Sequence, residues 1–401
     1  MIMIGILRER NGHLGGGFVE ERSVDYRVIS TDDHIIEAPD TFDRLPAKFK
    51  DRQPKIMRGP DGGDGWSFDG TPPKNTFGLN AVAGRPFEDY KESGLTFEEI
   101  LPGNYDGQAH LKDMDVDGVD GATIYPLASL EGLTVADREF GVACIRAYND
   151  WLIEDFCGVS PKRLIALPVI PTDDGEKVML DEAERVIGKG ARGVFLPYFS
   201  QHEFYDTYYD NFWKLLSDSK VAAAIHRTMG GKAPAGAARL GAAMTKDAPG
   251  LNISGIVERF FSAVTPLTRM IFTGVFDRHQ DLHFVAAEVN AGWVPFWVQM
   301  MEQEYERQRH WAHPPLQQNP SVFLGKNVFV TALDDYVGFE LAKKDDVLAR
   351  AAMYSTDYPH SVTLWPRSKE YIAKLTDGMD EQRRYGLLAG NAVRAFALST
   401  N

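Results

Sequence analysis

The chain has 401 residues, with 43 Lys and Arg against 57 Asp and Glu, a formal charge of −14. Hydrophobic residues make up 44% and charged residues 25%, a globular balance that excludes wholesale disorder. The acidic excess argues against a nucleic-acid polyanion as partner, and the two cysteines, Cys144 and Cys157, cannot build a disulfide framework and fit a reducing compartment.

Residues 1–23 read as an N-terminal extension. They carry Arg8, Glu9, Arg10, Glu20, Glu21 and Arg22 and three consecutive glycines, and lack the uninterrupted apolar core of a signal peptide. No stretch approaches the roughly 18 apolar residues of a membrane span, so a cytoplasmic protein without membrane contact is expected. From residue 24 onward, short apolar runs recur: 26–30 (YRVIS), 122–125 (ATIY), 164–170 (LIALPVI), 193–196 (GVFL), 221–225 (VAAAI), 283–287 (HFVAA), 328–331 (VFVT) and 351–355 (AAMYS). They are continuous rather than alternating, as strands buried on both faces of a parallel sheet are. Helical patterns separate them, at 135–156, 174–187, 210–216, 293–308, 340–350 and 381–398. The first places Phe140, Ala143, Cys144, Ala147, Tyr148 and Trp151 on one face. Eight strands alternating with helices predict an α/β fold, a single (β/α)₈ TIM barrel over residues 24–401. An open doubly wound sheet is the runner-up, but no Gly-rich phosphate loop follows Ser30.

Two segments break the rhythm. Residues 49–111 are rich in Gly, Pro and Asp and read as a long insertion after the first strand, without a helix. It forms part of the active-site rim, with Trp66, Phe68, Phe77, Phe87, Tyr90 and Phe97 either closing over a substrate or packing on the barrel wall. Residues 227–250, with the run MGGKAPAGAARLGAA, read as a loop or lid.

In a barrel, groups at the C-terminal strand ends converge. Strand one runs out into Asp32 and His34, strand five into His226 and Arg227, strand six into Glu288 and Asn290, and strand eight into Asp357 and His360. Two carboxylates and two imidazoles suit one divalent cation, Zn²⁺ first and Mn²⁺ or Fe²⁺ as alternatives. Each residue alone has a bland reading: Asp32 as a cap or turn former, His226 as a core-edge histidine, Asp357 as a turn initiator before Tyr-Pro. Their joint placement at three strand ends favours the site.

The motif Asp32-Asp33-His34-Ile35-Ile36-Glu37 resembles the first-strand motif of the amidohydrolase superfamily. Ser355-Thr356-Asp357-Tyr358-Pro359-His360, with Trp365-Pro366 beyond, resembles the eighth-strand motif of its aminocarboxymuconate-semialdehyde decarboxylase-like branch, amidohydrolase family 2. Residues 388–396 (LAGNAVRAF) are similar to that branch's C-terminal helix, and Glu288-x-Asn290-x-Gly292-Trp293-Val294-Pro295 to its sixth-strand end. The likeness spans about residues 28 to 396. It implies a metal-dependent barrel enzyme, often a homodimer or higher homo-oligomer, with Asp32, His34, His226 and Asp357 as ligands. The family's usual first-strand pair is His-x-His. An Asp in the first position makes the site harder, which strengthens the case for Mn²⁺ or Mg²⁺ against Zn²⁺. Glu288 stands where many relatives have a His, as ligand, acid/base group or partner of Asn290. The fourth strand end (GVFLP) lacks the carboxylated Lys that bridges two metals, so one ion is expected.

The expected reaction is non-oxidative decarboxylation of a small aromatic or unsaturated carboxylic acid. Asp357 or His360 would pass a proton to the carbon losing CO₂, and Arg227 would hold an anionic group or form a structural ion pair. The alternative is hydrolysis of an amide, ester, lactone or C–C bond by metal-activated water with Asp357 as base. A relic barrel without activity is a third reading, against which the four-ligand set argues. Trp293, Phe296 and Trp297 either wall the pocket or belong to core or interface, and His202 lies within reach of the site from the loop after strand four.

Overall fold

The computed structural model describes residues 24–73, 75–233 and 251–399. The expected extension at 1–23 and most of the expected lid at 227–250 lie outside them. The strands are β1 (Ile29–His34), β2 (Lys55–Arg58), β3 (Asp64–Ser67), β4 (Gly121–Tyr125), β5 (Leu164–Ala166), β6 (Gly193–Phe195), β7 (Ala222–His226), β8 (Phe284–Ala287), β9 (Val328–Ala332) and β10 (Ala352–Tyr354). Eight of them, all but the β2–β3 hairpin, are parallel neighbours in the orders β1-β4-β5 and β6-β7-β8-β9-β10. A bridge between Val169 and Phe195 joins β5 to β6. At the other seam Thr31 Oγ1 donates to Tyr354 O at 2.9 Å and His34 N to Tyr358 O at 2.6 Å. This is the expected TIM-barrel architecture.

Every residue of β4, β7, β8 and β9 is buried, as continuous apolar runs require. The side-chain period of two divides them between two cores. Ala223 and Ile225 pack with helix residues such as Trp213, Met270 and Phe339. Ala222 and Ala224 share the other cluster with Phe195, Val285, Ala287, Phe329 and Met353. Among the described residues no helix is long and apolar enough to cross a membrane.

Several expectations shift. The first strand starts later than 26–30 and carries Asp32 and His34 inside it, because its pairing with β4 runs on to His34 opposite Tyr125. The helix expected at 340–350 is broken into Tyr336–Ala342 and Asp346–Ala351, since the Asp345 side chain caps the second piece by accepting from Leu348 N at 2.9 Å. The 49–111 insertion is not structureless. Its β2–β3 hairpin pairs Lys55 with Ser67 and Arg58 with Asp64, and helix Gly107–Asp117 begins in it, capped by Asp106 accepting from Ala109 N at 2.7 Å. Its aromatics divide: Trp66, Phe68 and Phe77 are buried in the core, whereas Phe87 is 73% exposed.

Candidate active site

A one-residue irregularity in β1 sets the site. Ser30 pairs with Ala122 but Asp33, not Asp32, with Ile124, so β1 holds an extra residue, as in a β-bulge. Asp33 turns to the β10 seam, where Thr356 Oγ1 donates to it at 2.7 Å and His110 Nε2 lies 3.5 Å away. Asp32 and His34 are left to face His226 and Asp357. One ligand atom from each of these four residues lies within 4.8 Å of all the others, and all four residues are buried. The remaining motif carboxylate, Glu37, faces elsewhere: it accepts from Leu127, Ala128 and Ser129 N–H at 3.2, 3.0 and 2.8 Å, tying the end of β1 to the turn after β4.

The contacts are close. Asp32 Oδ1 lies 3.4 Å from His34 Nε2 and 3.3 Å from His226 Nε2. Asp357 Oδ1 lies 3.3 Å from His34 Nε2 and 3.0 Å from His360 Nδ1. The two ligand imidazoles approach Nε2 to Nε2 at 3.0 Å, and the His360 ring stacks on His34 at 3.9 Å. Burial alone would depress the His34 imidazolium, but the carboxylates of Asp32 and Asp357 outweigh it and raise His34 to about 9. Burial pushes Asp32 and Asp357 upward, and the imidazoles beside them reverse this and hold both below the usual carboxylate range. For His226 and His360 burial prevails and lowers them.

These residues fit a divalent cation. Neither oxygen of Asp32 or Asp357 receives a well-formed hydrogen bond, and buried carboxylates without donors are costly unless paired or bound to a metal. The convergent Nε2 atoms point the same way, because two neutral imidazoles at that distance need a shared proton or a cation between them. A mixed N and O set of this kind is compatible with Mn²⁺ or Zn²⁺.

Around the cluster, Arg227 and Glu288 form an ion pair, and Glu288 Oε2 lies 3.3 Å from His226 Nε2. Burial brings the Arg227 guanidinium down to about 10, and it stacks 4.7 Å over the Phe260 ring. Arg227, Glu288 and Asp357 have φ of +35°, +55° and +51°. Backbone held in the left-handed region at non-glycine positions gathers at functional sites. A cavity of about 370 Å³ opens over the cluster, and its wall includes Arg259, Leu127, Met229 and Ile256 beside His226, Arg227, Glu288, Asp357 and His360.

Two neighbours of the cluster escape the sequence reading. The Tyr125 ring sits 5.7 Å from His34 and 5.4 Å from His226. Arg259, depressed by burial, reaches the cavity from helix Leu251–Arg259. Four expected candidates lie elsewhere. His202 stacks on Tyr208 at 3.8 Å. Trp297 is buried and donates to Thr268 Oγ1 at 2.8 Å, and Trp293 packs against it at 5.4 Å, while Phe296 is exposed.

A barrel with a carboxylate–imidazole cluster at its strand ends defines a metal-dependent enzyme of the amidohydrolase type. The amidohydrolase family model matches residues 103–398, and the chain belongs to that family. No curated protein matches it by sequence. Among solved structures, an amidohydrolase from Mycobacterium avium subsp. paratuberculosis K-10 is similar over 94% of this chain and 99% of its own, at 20% identity and a TM-score of 0.71. A 5-carboxyvanillate decarboxylase from Novosphingobium aromaticivorans, complexed with manganese and 4-hydroxy-3-methoxy-5-nitrobenzoic acid, matches over 93% and 97%, at 20% identity and a TM-score of 0.62. A 2,6-dihydroxybenzoate decarboxylase from Rhizobium matches over 93% and 99%, at 16% identity and a TM-score of 0.60.

Proposed function

We propose that the protein is a metal-dependent, non-oxidative decarboxylase of a small aromatic carboxylic acid. The observation that carries this reading is the wall of the cavity. Two arginines, Arg227 and Arg259, share it with Leu127, Met229 and Ile256 directly over the carboxylate–imidazole cluster. Such a wall suits a flat apolar body bearing an anionic group. The similar structures that are decarboxylases of hydroxylated benzoates support the same class.

Asp32, His34, His226 and Asp357 would hold one divalent cation, Mn²⁺ or Zn²⁺. When bound, it polarises the substrate's oxygen atoms and draws charge toward them. Arg227 and Arg259 orient the acid by charge-assisted hydrogen bonds. Glu288, paired with Arg227 and close to His226, fixes the guanidinium relative to the cluster. His360 Nδ1 faces Asp357, and its Nε2 has no protein partner. Burial lowers His360, so its free Nε2 would take the proton that the substrate's own hydroxyl or acid group gives up and pass it to the ring carbon, which keeps the electron pair of the broken bond as CO₂ leaves.

Hydrolysis would use nearly the same residues, so isotope labelling decides between the two reactions. Metal-loaded enzyme is incubated in H₂¹⁸O with a panel of hydroxybenzoates. CO₂ release, with no label entering a new product carboxylate, is expected. Label in a product carboxylate, or no CO₂ from any acid, overturns the proposal.

A further inference from the structure

The cavity over the cluster has a larger neighbour. A second chamber of about 700 Å³ adjoins it, nearly twice the size of the first at about 370 Å³. Glu288, Ser361 and Val362 border both. Five aromatic residues from separate parts of the chain line the outer chamber: Phe87 and Tyr90 from the insertion, Phe260, Trp365 and Tyr371. This convergence is built into the backbone. Gly84 has φ +79° and lies so close to Trp365 that a Cβ there would come 2.8 Å from its ring, so only glycine lets the insertion approach this far. Ala83 N then donates to Pro359 O at 3.1 Å, fastening the insertion to the loop that carries Asp357 and His360. Arg85 and Arg367 share this wall with Glu88, Asp334 and Glu288, and Glu288 is already paired with Arg227, so the lining carries charges of both signs and does not select for one. A single-ring acid seated at the cluster would leave these rings without contact.

We propose that the outer chamber is a second substrate subsite, and that the true substrate is an extended acid. Its carboxylated ring lies at the cluster and an uncharged second aromatic ring lies among Tyr90, Trp365 and Tyr371. This rests on the decarboxylase reading of the inner site. Aromatic side chains favour offset or edge contacts with such a ring and exclude water from it.

The test compares 2-hydroxybenzoate with its 4-phenyl and 5-phenyl derivatives on the full-length, metal-loaded enzyme. Binding is read by calorimetry and CO₂ release is measured separately. At least one phenyl-bearing acid is expected to bind ten times more tightly than the parent or better. Tyr371→Ala should cut that preference at least fivefold while leaving the parent acid's affinity unchanged. Phe87→Ala, at an exposed position that cannot unfold the protein, should reduce it in the same direction. Equal binding of parent and derivatives, or variants that weaken both alike, overturns the subsite even if CO₂ is released. Tight binding of a phenyl-bearing acid without CO₂ release from any acid upholds the subsite and counts against the decarboxylase reading. Failure of every acid to bind overturns both.

Discussion

Asp357 bridges two imidazoles, 3.3 Å from His34 and 3.0 Å from His360, and so joins the proposed ligand set to the proposed proton carrier. Asp357→Ala should therefore lower kcat by well over the roughly 10- to 100-fold that loss of an outer partner of a metal ligand costs. Metal content should drop below one ion per chain in the same variant. Full activity or full metal occupancy in Asp357→Ala would break the assignment. The cluster was legible at this scale because strand ends converge in a barrel, so residues from three strand ends far apart in sequence could be grouped from the apolar runs before them. Tyr125 was not legible, because an aromatic closing a buried strand reads as core. Arg259 was not, because its helix follows a Gly- and Ala-rich stretch that carries no periodic signal.

Strand β1 shows what an element adds beyond its residues. Strand alternation turns Asp33 to the seam and keeps Asp32 and His34 on the cluster, as their spacing of two residues implies, whereas the extra residue in the pairing with β4 leaves no mark in the sequence. Runs buried on both faces announced all eight barrel strands. Helix Gly107–Asp117 stayed hidden because its apolar stripe is weak and its buried face includes His110 and Asp117. His283 offers a test of how strands and helices are joined. Its Nδ1 donates to Ala395 O at 2.9 Å, linking the start of β8 to helix Asn391–Ala395, and burial lowers its pKa. A histidine whose pKa the fold lowers contributes stability that is full above its unfolded pKa of about 6.5 and is lost as pH falls from there through its folded pKa. Stability should decline from pH 7 to pH 5, with His283 contributing at most about 1.4 kcal/mol per pH unit. His283→Gln should show a shallower decline in urea unfolding at the two pH values. An unchanged slope would remove His283 from the account.

For the whole molecule, a ligand that binds only the folded chain stabilises it by mass action. A cation at a thousand times its Kd would add about 4 kcal/mol. Thermal unfolding should shift upward on titration with Mn²⁺ and fall back with a chelator, and an unmoved midpoint would sink the proposed centre. The proposed ligands lie on both sides of the seam between the first and last barrel strands. Asp32 and His34 belong to β1, whereas Asp357 follows β10. A growing chain thus offers only part of the set for most of its synthesis, and the binding site is finished only when the segment after Tyr354 has emerged and folded back onto the beginning. Uptake of the ion would then act as a signature of a completed barrel, and chains cut short before Asp357 would be left without it however well their earlier strands had paired.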